Sequence, residues 1–282
     1  MSKLYPVGVQ NFEKVILGGY KYVDKTALIY ELFNTGSYYF LSRPRRFGKS
    51  LLLSTLEAYA QGKKELFKGL ALEKLEKDWT VYPVLHLDLN TEKYDTEASL
   101  ENKLELTLKQ WEAEYGYNPD EYSVATRFEG VIRRACEQTG RRVVILIDEY
   151  DKPMLQAIGN EALQNEYRST LKAFYGALKS MDGCIRFALL TGVTKFGKVS
   201  VFSDLNNLMD ISMIDQYAEI CGISEKEVHA YFEEDIHELA TATGMSYEQA
   251  CTELKANYDG YHFTENAVGM YNPFSLLNTF AN

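Results

Sequence analysis

The residues most able to do chemistry in this chain stand in two separated runs. The first is Arg43-Pro44-Arg45-Arg46-Phe47-Gly48-Lys49-Ser50. It follows the apolar run Tyr38–Leu41 and opens a helical stretch that begins near Lys49. In that strand–loop–helix order, successive backbone N–H groups and a helix N-terminus gather around an anion, so the pattern points to phosphate binding. Gly48 lets the backbone approach phosphate oxygens. Lys49 can reach the β- and γ-phosphates of a nucleotide, and the Ser50 hydroxyl can ligate Mg²⁺. Phe47 and Leu51 complete the segment expected to wrap the phosphates. Arg45 and Arg46 either touch phosphate or present a surface to a partner. One position departs from the usual GxxxxGK[ST] spacing, because Arg43 stands where the first Gly belongs. With Pro44 fixing φ beside it, this loop is stiffer and more basic than the standard form.

The second run is Val143-Val144-Ile145-Leu146-Ile147-Asp148-Glu149, an apolar strand ending in two acids. Asp148 at such a tip can hold Mg²⁺ through water, and Glu149 can polarise an attacking water. The competing reading is a helix cap with surface charge. Tyr150 reads as packing and Asp151 as a turn or local hydrogen-bonding residue in preference to a metal ligand. A third tip, Thr191-Gly192-Val193-Thr194-Lys195, ends the last apolar run. Thr191 or Thr194 there could face the γ-phosphate with Lys195 as a charge sensor, or the segment is a glycine turn with solvated polar groups. Asp88, ending the run Val84–Leu89, is read as a cap in preference to a metal ligand.

Stepping these groups into place requires alternating strands and helices. Short apolar runs at 38–41, 84–89, 143–148 and 185–191 read as strands. Longer helical stretches lie at 49–61, 97–115, 122–138 and 162–179. That alternation predicts an α/β fold with a mainly parallel sheet, its central strand apolar throughout because both faces are covered. Beyond Asp215 helical patterns at 224–241 and 246–258 dominate, with Ser224 and Glu227 as a capping box. The expected division is therefore a domain over 1–215 and a small helical lid-like subdomain over 216–282. The last residues, 275–282, read as a helix start cut short.

Composition excludes several classes. The chain has 282 residues, 46% of them hydrophobic and 25% charged, which supports one sizeable core. A net charge of −10 argues against direct nucleic-acid binding by this segment, which needs clustered Lys and Arg. Cys136, Cys184, Cys221 and Cys251 are too scattered for a metal site and read as reduced, mostly buried thiols of a cytoplasmic protein. The four histidines form no spaced cluster. No run approaches the ~20 apolar residues of a membrane span, and Met1–Pro6 carry no signal-peptide core.

Together these segments resemble the AAA-ATPase-like family of bacterial P-loop proteins. The resemblance is carried by Val23-Asp24-Lys25-Thr26, the loop Arg43–Ser50, Leu146-Ile147-Asp148-Glu149-Tyr150-Asp151 and Leu190-Thr191-Gly192-Val193. It is also carried by Phe202-Ser203-Asp204-Leu205-Asn206-Asn207-Leu208, Tyr258-Asp259-Gly260-Tyr261 and Tyr271-Asn272-Pro273-Phe274-Ser275. Arg43 in place of the first Gly is normal in that family. The resemblance implies an additional-strand (ASCE-type) P-loop fold related to AAA+ and STAND ATPases, with Thr191 on the strand between the two motif strands. It implies ATP and Mg²⁺ as ligands, with Lys49, Glu149 and Thr191 catalytic and Ser50 and Asp148 holding the metal. Full-length relatives in that family often carry a C-terminal PD-(D/E)xK nuclease-like domain, which is expected to be absent here. ASCE ATPases commonly work as assemblies, so a homo-oligomer is one open expectation. Tyr22 and Asp24-Lys25-Thr26 could line an adenine pocket, although Asp24 as a helix cap is the preferred reading. Arg133, Arg134 and Arg168 are arginine-finger candidates or surface ion-pair residues. The expected function is Mg²⁺-dependent ATP hydrolysis driving or gating an effector. The alternative is a nucleotide-binding switch without significant hydrolysis.

Overall fold

In the computed structural model the described residues are 4–195, 207–266 and 268–282. The segment Phe202–Asn206, whose turn-rich, polar sequence reads as a loop near the nucleotide or the lid, lies outside them. The described elements run α1 (Phe12–Leu17), α2 (Thr26–Thr35), β1 (Tyr38–Ser42), α3 (Lys49–Ala60), α4 (Ala71–Leu75) and β2 (Val84–Asp88). They continue with α5 (Glu97–Tyr115), α6 (Val124–Thr139), β3 (Val143–Asp148), α7 (Lys152–Gln156), α8 (Glu161–Ser180), β4 (Ile185–Gly192) and β5 (Met209–Asp210). The C-terminal part holds β6 (Ile223–Ser224), α9 (Glu225–Thr243), α10 (Tyr247–Tyr258), β7 (Met270–Tyr271) and α11 (Pro273–Ala281).

Five strands form one sheet in the order β2-β3-β4-β1-β5, with every neighbouring pair parallel. This is the α/β architecture of P-loop NTPases, and β4 is the additional strand between β1 and β3. The two-residue period of β3 sorts its side chains cleanly. Val143, Ile145 and Ile147 enter the core under α5, α6 and α8, while Val144 and Leu146 enter the core under α2, α3 and α4. Burial on both faces explains why the strand is apolar throughout. A third core joins α9, α10 and α11 to Tyr5, Val7 and Val23 of the N-terminal segment. The core under α3 also takes in Tyr217, Ile220, Cys221 and Met270, so residues on both sides of 215 pack around the loop that opens α3.

Local chemistry sets the boundaries. Gly48 caps α3 in the left-handed region, and Ser123 with Thr126 forms a capping box that starts α6 at Val124, two residues after the position read from the pattern. Ser224 and Glu227 form the box that opens α9. The Asp88 carboxylate accepts from Asn90 N at 2.7 Å and turns the chain after β2. Asp24 Oδ1 accepts from Thr26 N and Oγ1 while Oδ2 accepts from Ala71 N, tying the start of α2 to α4. The short helix α1 was not legible from periodicity, since six residues span under two turns. Of the cysteines expected to be mostly buried, only Cys221 is; Cys136, Cys184 and Cys251 are half-buried. Among the described residues no helix is long and apolar enough to cross a membrane.

Candidate functional site

Parallel strands present their C-terminal ends along one edge, and the three motif tips meet there. In the ladder Leu41 pairs with Thr191, Ile147 with Leu190, and Asp88 with Asp148. This places the loop after β1 across one strand from the acids after β3. The Asp148 carboxylate is 4% exposed and fully engaged. Its Oδ2 accepts from Ser50 Oγ at 2.5 Å and its Oδ1 from Thr191 Oγ1 at 2.6 Å. Lys49, also 4% exposed, donates to the carbonyls of Arg43 and Pro44 at 3.1 and 3.3 Å and lies 3.2 Å from Glu149 Oε1. Burial raises the pKa of Glu149, the ammonium of Lys49 opposes that rise, and the like charge of Asp148 adds to it.

Backbone strain concentrates at the same edge. Glu149 has φ 54° and Arg46 φ 67°, left-handed values uncommon outside glycine. Gly48, at φ 94°, has no atom within 4 Å of where a Cβ would sit. The space over the start of α3 is therefore open, and only the backbone conformation demands glycine there.

The loop's residues divide between two jobs. Arg45, Arg46, Gly48, Lys49, Ser50 and Leu51 face a cleft of about 470 Å³. Its other walls are the N-terminal segment at Gly8 and Gln10, the β2 tip at Asn90, α7 at Lys152 and Gln156, and α11 at Pro273 and Phe274. The lining carries four cations, Arg45, Arg46, Lys49 and Lys152, against one carboxylate, Glu149. A locally basic cleft thus exists in a chain of net charge −10. Leu51 and Gly48 also line an adjoining, mostly apolar cavity with Tyr22, Ile29, Cys221 and Ile223.

Arg43 and Phe47 point the other way. Phe47 is buried, with edge-to-face contacts to Tyr261 and Phe263, and its carbonyl accepts from Gly222 N at 3.0 Å. Arg43 is 1% exposed. Its guanidinium donates to the carbonyls of Ser42, Ser212, Tyr217 and Ala218 and stacks 4.0 Å from the Phe263 ring. The extra basicity read from the loop is thus spent inside the protein, where Arg43 ties the loop to the segment 212–218. Arg46 instead stands over the ring of Phe274 at 4.2 Å.

Beyond Asp148 and Glu149 the next two residues hold β4. Tyr150 N donates to Thr191 O and Tyr150 Oη to Thr194 O. Asp151, 1% exposed, accepts from Val193 N, Thr194 N and Thr194 Oγ1. Between Thr191 and Thr194, it is Thr191 that reaches Asp148. Lys195 pairs with Asp210 at 3.4 Å.

Residues 6–202 match the family described as Predicted AAA-ATPase. The chain belongs to that family. It is also similar to the "Uncharacterized protein in vnfD 5'region" of Azotobacter chroococcum mcd 1, with 40% identity over 280 residues that cover 99% of this chain and 52% of that protein. The chain spans about half the length of this curated relative. Membership agrees with the P-loop architecture of the sheet and points to ATPase-like function.

Three arginines weighed as charge donors lie away from it. Arg133 is exposed on α6, Arg134 pairs with Glu121 at 2.7 Å, and Arg168 donates to Asn165 on α8. Lys152, Asn90 and Gln156 were missed, because nothing in their types marks them without the fold. The one available signal was that Lys152 follows Glu149 by three residues, the distance of a single turn.

Proposed function

We propose that this chain binds ATP in the basic cleft and hydrolyses it, with Lys49, Glu149 and Thr191 as the catalytic side chains. The observation that carries the reading is the junction of Ser50, Asp148 and Thr191 within hydrogen-bond distance at the sheet edge, with the Lys49–Glu149 pair beside it. The backbone of residues 45–50 and the N-terminus of α3 would cradle the phosphates, with Leu51 at the passage to the apolar cavity. That cavity, at Tyr22, Ile29 and Cys221, suits a purine base.

Ser50 and Asp148 are the residues that would hold Mg²⁺. Both offer hard oxygen atoms, and they are already in direct contact. When bound, the ion would neutralise charge on the β- and γ-phosphates. Lys49 would leave Glu149 for the phosphates on nucleotide binding. The freed Glu149 carboxylate then takes the proton of the attacking water as its oxygen bonds to the γ-phosphorus and the bond to ADP breaks. Thr191 holds Asp148 in place from the neighbouring strand.

The contact between Arg46 and Phe274 favours a second role for the same site. Arg46 can exchange the ring for phosphate, so the part over 216–282 would act as a lid that senses occupancy and gates an effector, such as a following nuclease-like domain or another copy of the chain.

The test is thermal unfolding with and without Mg²⁺-ATP, together with phosphate release. Nucleotide at ~100 times its Kd should add about 2.7 kcal/mol of stability to the native chain. Lys49→Ala should abolish the shift, whereas Glu149→Gln should keep the shift and stop phosphate release. No shift at millimolar nucleotide would defeat the reading. A shift without phosphate release would leave the switch.

A further inference from the structure

We infer that Lys152 is the cation that stabilises the terminal phosphoryl group, supplied by the same chain that cradles the nucleotide. The inference rests on the ATP reading of the cleft and concerns what lies beyond Glu149 in it.

The first observation is place. Lys152 opens α7, and its backbone N–H donates to Glu149 O at 3.0 Å, so a tight turn carries it directly from the water-polarising acid. Its side chain lines the cleft and reaches Asn90 at the tip of β2. The sheet order settles which end of a nucleotide this is. Phosphates cradled by the loop after β1 extend across β4 towards the β3 tip, where Glu149 sits. Asn90 follows β2, one strand further on. Lys49 thus approaches the β3 tip from the β1 side of the sheet edge, and Lys152 is held towards the β2 side. Lys152 would therefore meet the phosphate farthest from the cradle, the last one.

The second observation is charge. The Lys152 ammonium is held by the main-chain carbonyl and the side-chain Oδ1 of Asn90, both neutral acceptors. Among the described residues no carboxylate pairs with it. Lys49, Lys21 and Lys25, by contrast, each have one, in Glu149, Asp235 and Glu227. A positive charge oriented by neutral groups keeps its field for a ligand and needs little rearrangement when negative charge develops. As water's oxygen bonds to phosphorus, its proton passes to Glu149 and the bond to ADP breaks. The charge on the equatorial oxygens then lies within reach of this ammonium. An arginine from a neighbouring subunit usually does this work; the arginines on α6 and α8 face elsewhere.

The experiment compares the native chain with Lys152→Met and Lys152→Arg, measuring Mg²⁺-ATP and Mg²⁺-ADP affinities alongside kcat at several protein concentrations. Lys152→Met should lower kcat by roughly 100–1,000-fold, the range for losing one preorganised stabilising group. It should weaken ATP binding while ADP affinity stays within about threefold, because only the terminal phosphate loses a partner. Lys152→Arg should recover most of kcat, and kcat of the native chain should not rise with protein concentration. Unchanged kcat and an unchanged ATP-to-ADP affinity ratio in Lys152→Met would overturn the inference while leaving nucleotide binding intact. So would equal weakening of both nucleotides. If the native chain hydrolyses nothing, the affinity ratio still decides the matter. If it binds neither nucleotide, the ATP reading itself falls and this inference with it.

Discussion

Lys49 Nζ lies 3.2 Å from Glu149 Oε1, so the cation that would neutralise phosphate and the acid that would polarise water neutralise each other. Both are largely buried, and burial alone would push Glu149 towards its protonated form. The pair is thus a resting arrangement in which neither group is an isolated buried charge.

Its pH signature follows from the sign of the shift. The folded-state pKa of Glu149 is raised above its ordinary 4.5, so the folded chain holds this proton more tightly than the unfolded chain. The stability this contributes is fully present below pH 4.5 and is lost as pH rises through the folded-state value. Glu149→Gln removes the titration. The stability difference, variant minus native, should therefore become more favourable to the variant as pH rises from about 4.5 towards neutrality. Denaturant midpoints at both ends of that range measure it, and a constant difference would contradict the assignment.

Arg43 yields a counter-intuitive expectation. Arg43→Gly restores the glycine of the standard phosphate-loop spacing, yet it takes one donor away from each of four carbonyls and empties a site against Phe263. Losing a buried, multiply hydrogen-bonded guanidinium should cost about 3 kcal/mol or more. Chemical denaturation of Arg43→Gly would read this directly. A variant as stable as the native chain would mean that these contacts add little.

The same residue shows how far the sequence carried the structure. The four long strands and the helices at 49–60, 97–115 and 161–180 were legible, because each repeats its apolar period over enough residues. The meeting of Asp148 with Ser50 and Thr191 followed from strand order, which the motifs implied through the family resemblance. The direction in which each loop side chain turns was not legible. Arg43 and Arg46 are alike in type and only three residues apart, yet one is sealed against carbonyls and the other opens onto the cleft. That choice is made by residues 212–218 and 263, distant in sequence, and by the left-handed φ at Arg46. The grip of Asp151 on the loop after β4 was hidden for the same reason.

Asp151 should separate binding from turnover. Its carboxylate accepts from Val193 N, Thr194 N and Thr194 Oγ1, and Asp151 is not one of the residues that line the cleft. Asp151→Ala should cost roughly 2–3 kcal/mol, since two half-buried N–H groups and the Thr194 hydroxyl lose a charged acceptor. By loosening the β4 tip it should also lower kcat more than nucleotide affinity, because Thr191 and Glu149 lose their fixed relation. Asp151→Asn, which keeps an acceptor oxygen, should recover part of both. Equal losses in affinity and kcat would place Asp151 in binding instead.

The cleft also depends on how the N-terminal segment is held against the helical part, and one buried acid does much of this. Asp235 on α9 is 2% exposed and accepts from Tyr5 Oη at 2.5 Å and from Lys21 Nζ at 2.6 Å. Lys21 is further fixed by the Tyr231 carbonyl and lies 4.9 Å from the Phe232 ring. Pro6, Gly8, Val9 and Gln10 of this segment form one wall of the cleft, and Lys21 with Tyr22 lines the apolar cavity. Asp235→Ala leaves a half-buried ammonium and a phenol without their shared acceptor. The expected cost is about 3 kcal/mol, the lower end for breaking a buried pair. The consequence for function is sharper. The N-terminal wall should detach before the sheet unfolds, so protease should cut within residues 4–25 far faster in the variant, and ATP should slow that cutting by binding against the same wall. Cleavage at native rates, or cleavage that ATP leaves unaltered, would show that the wall is held without Asp235 or that the nucleotide does not rest on it.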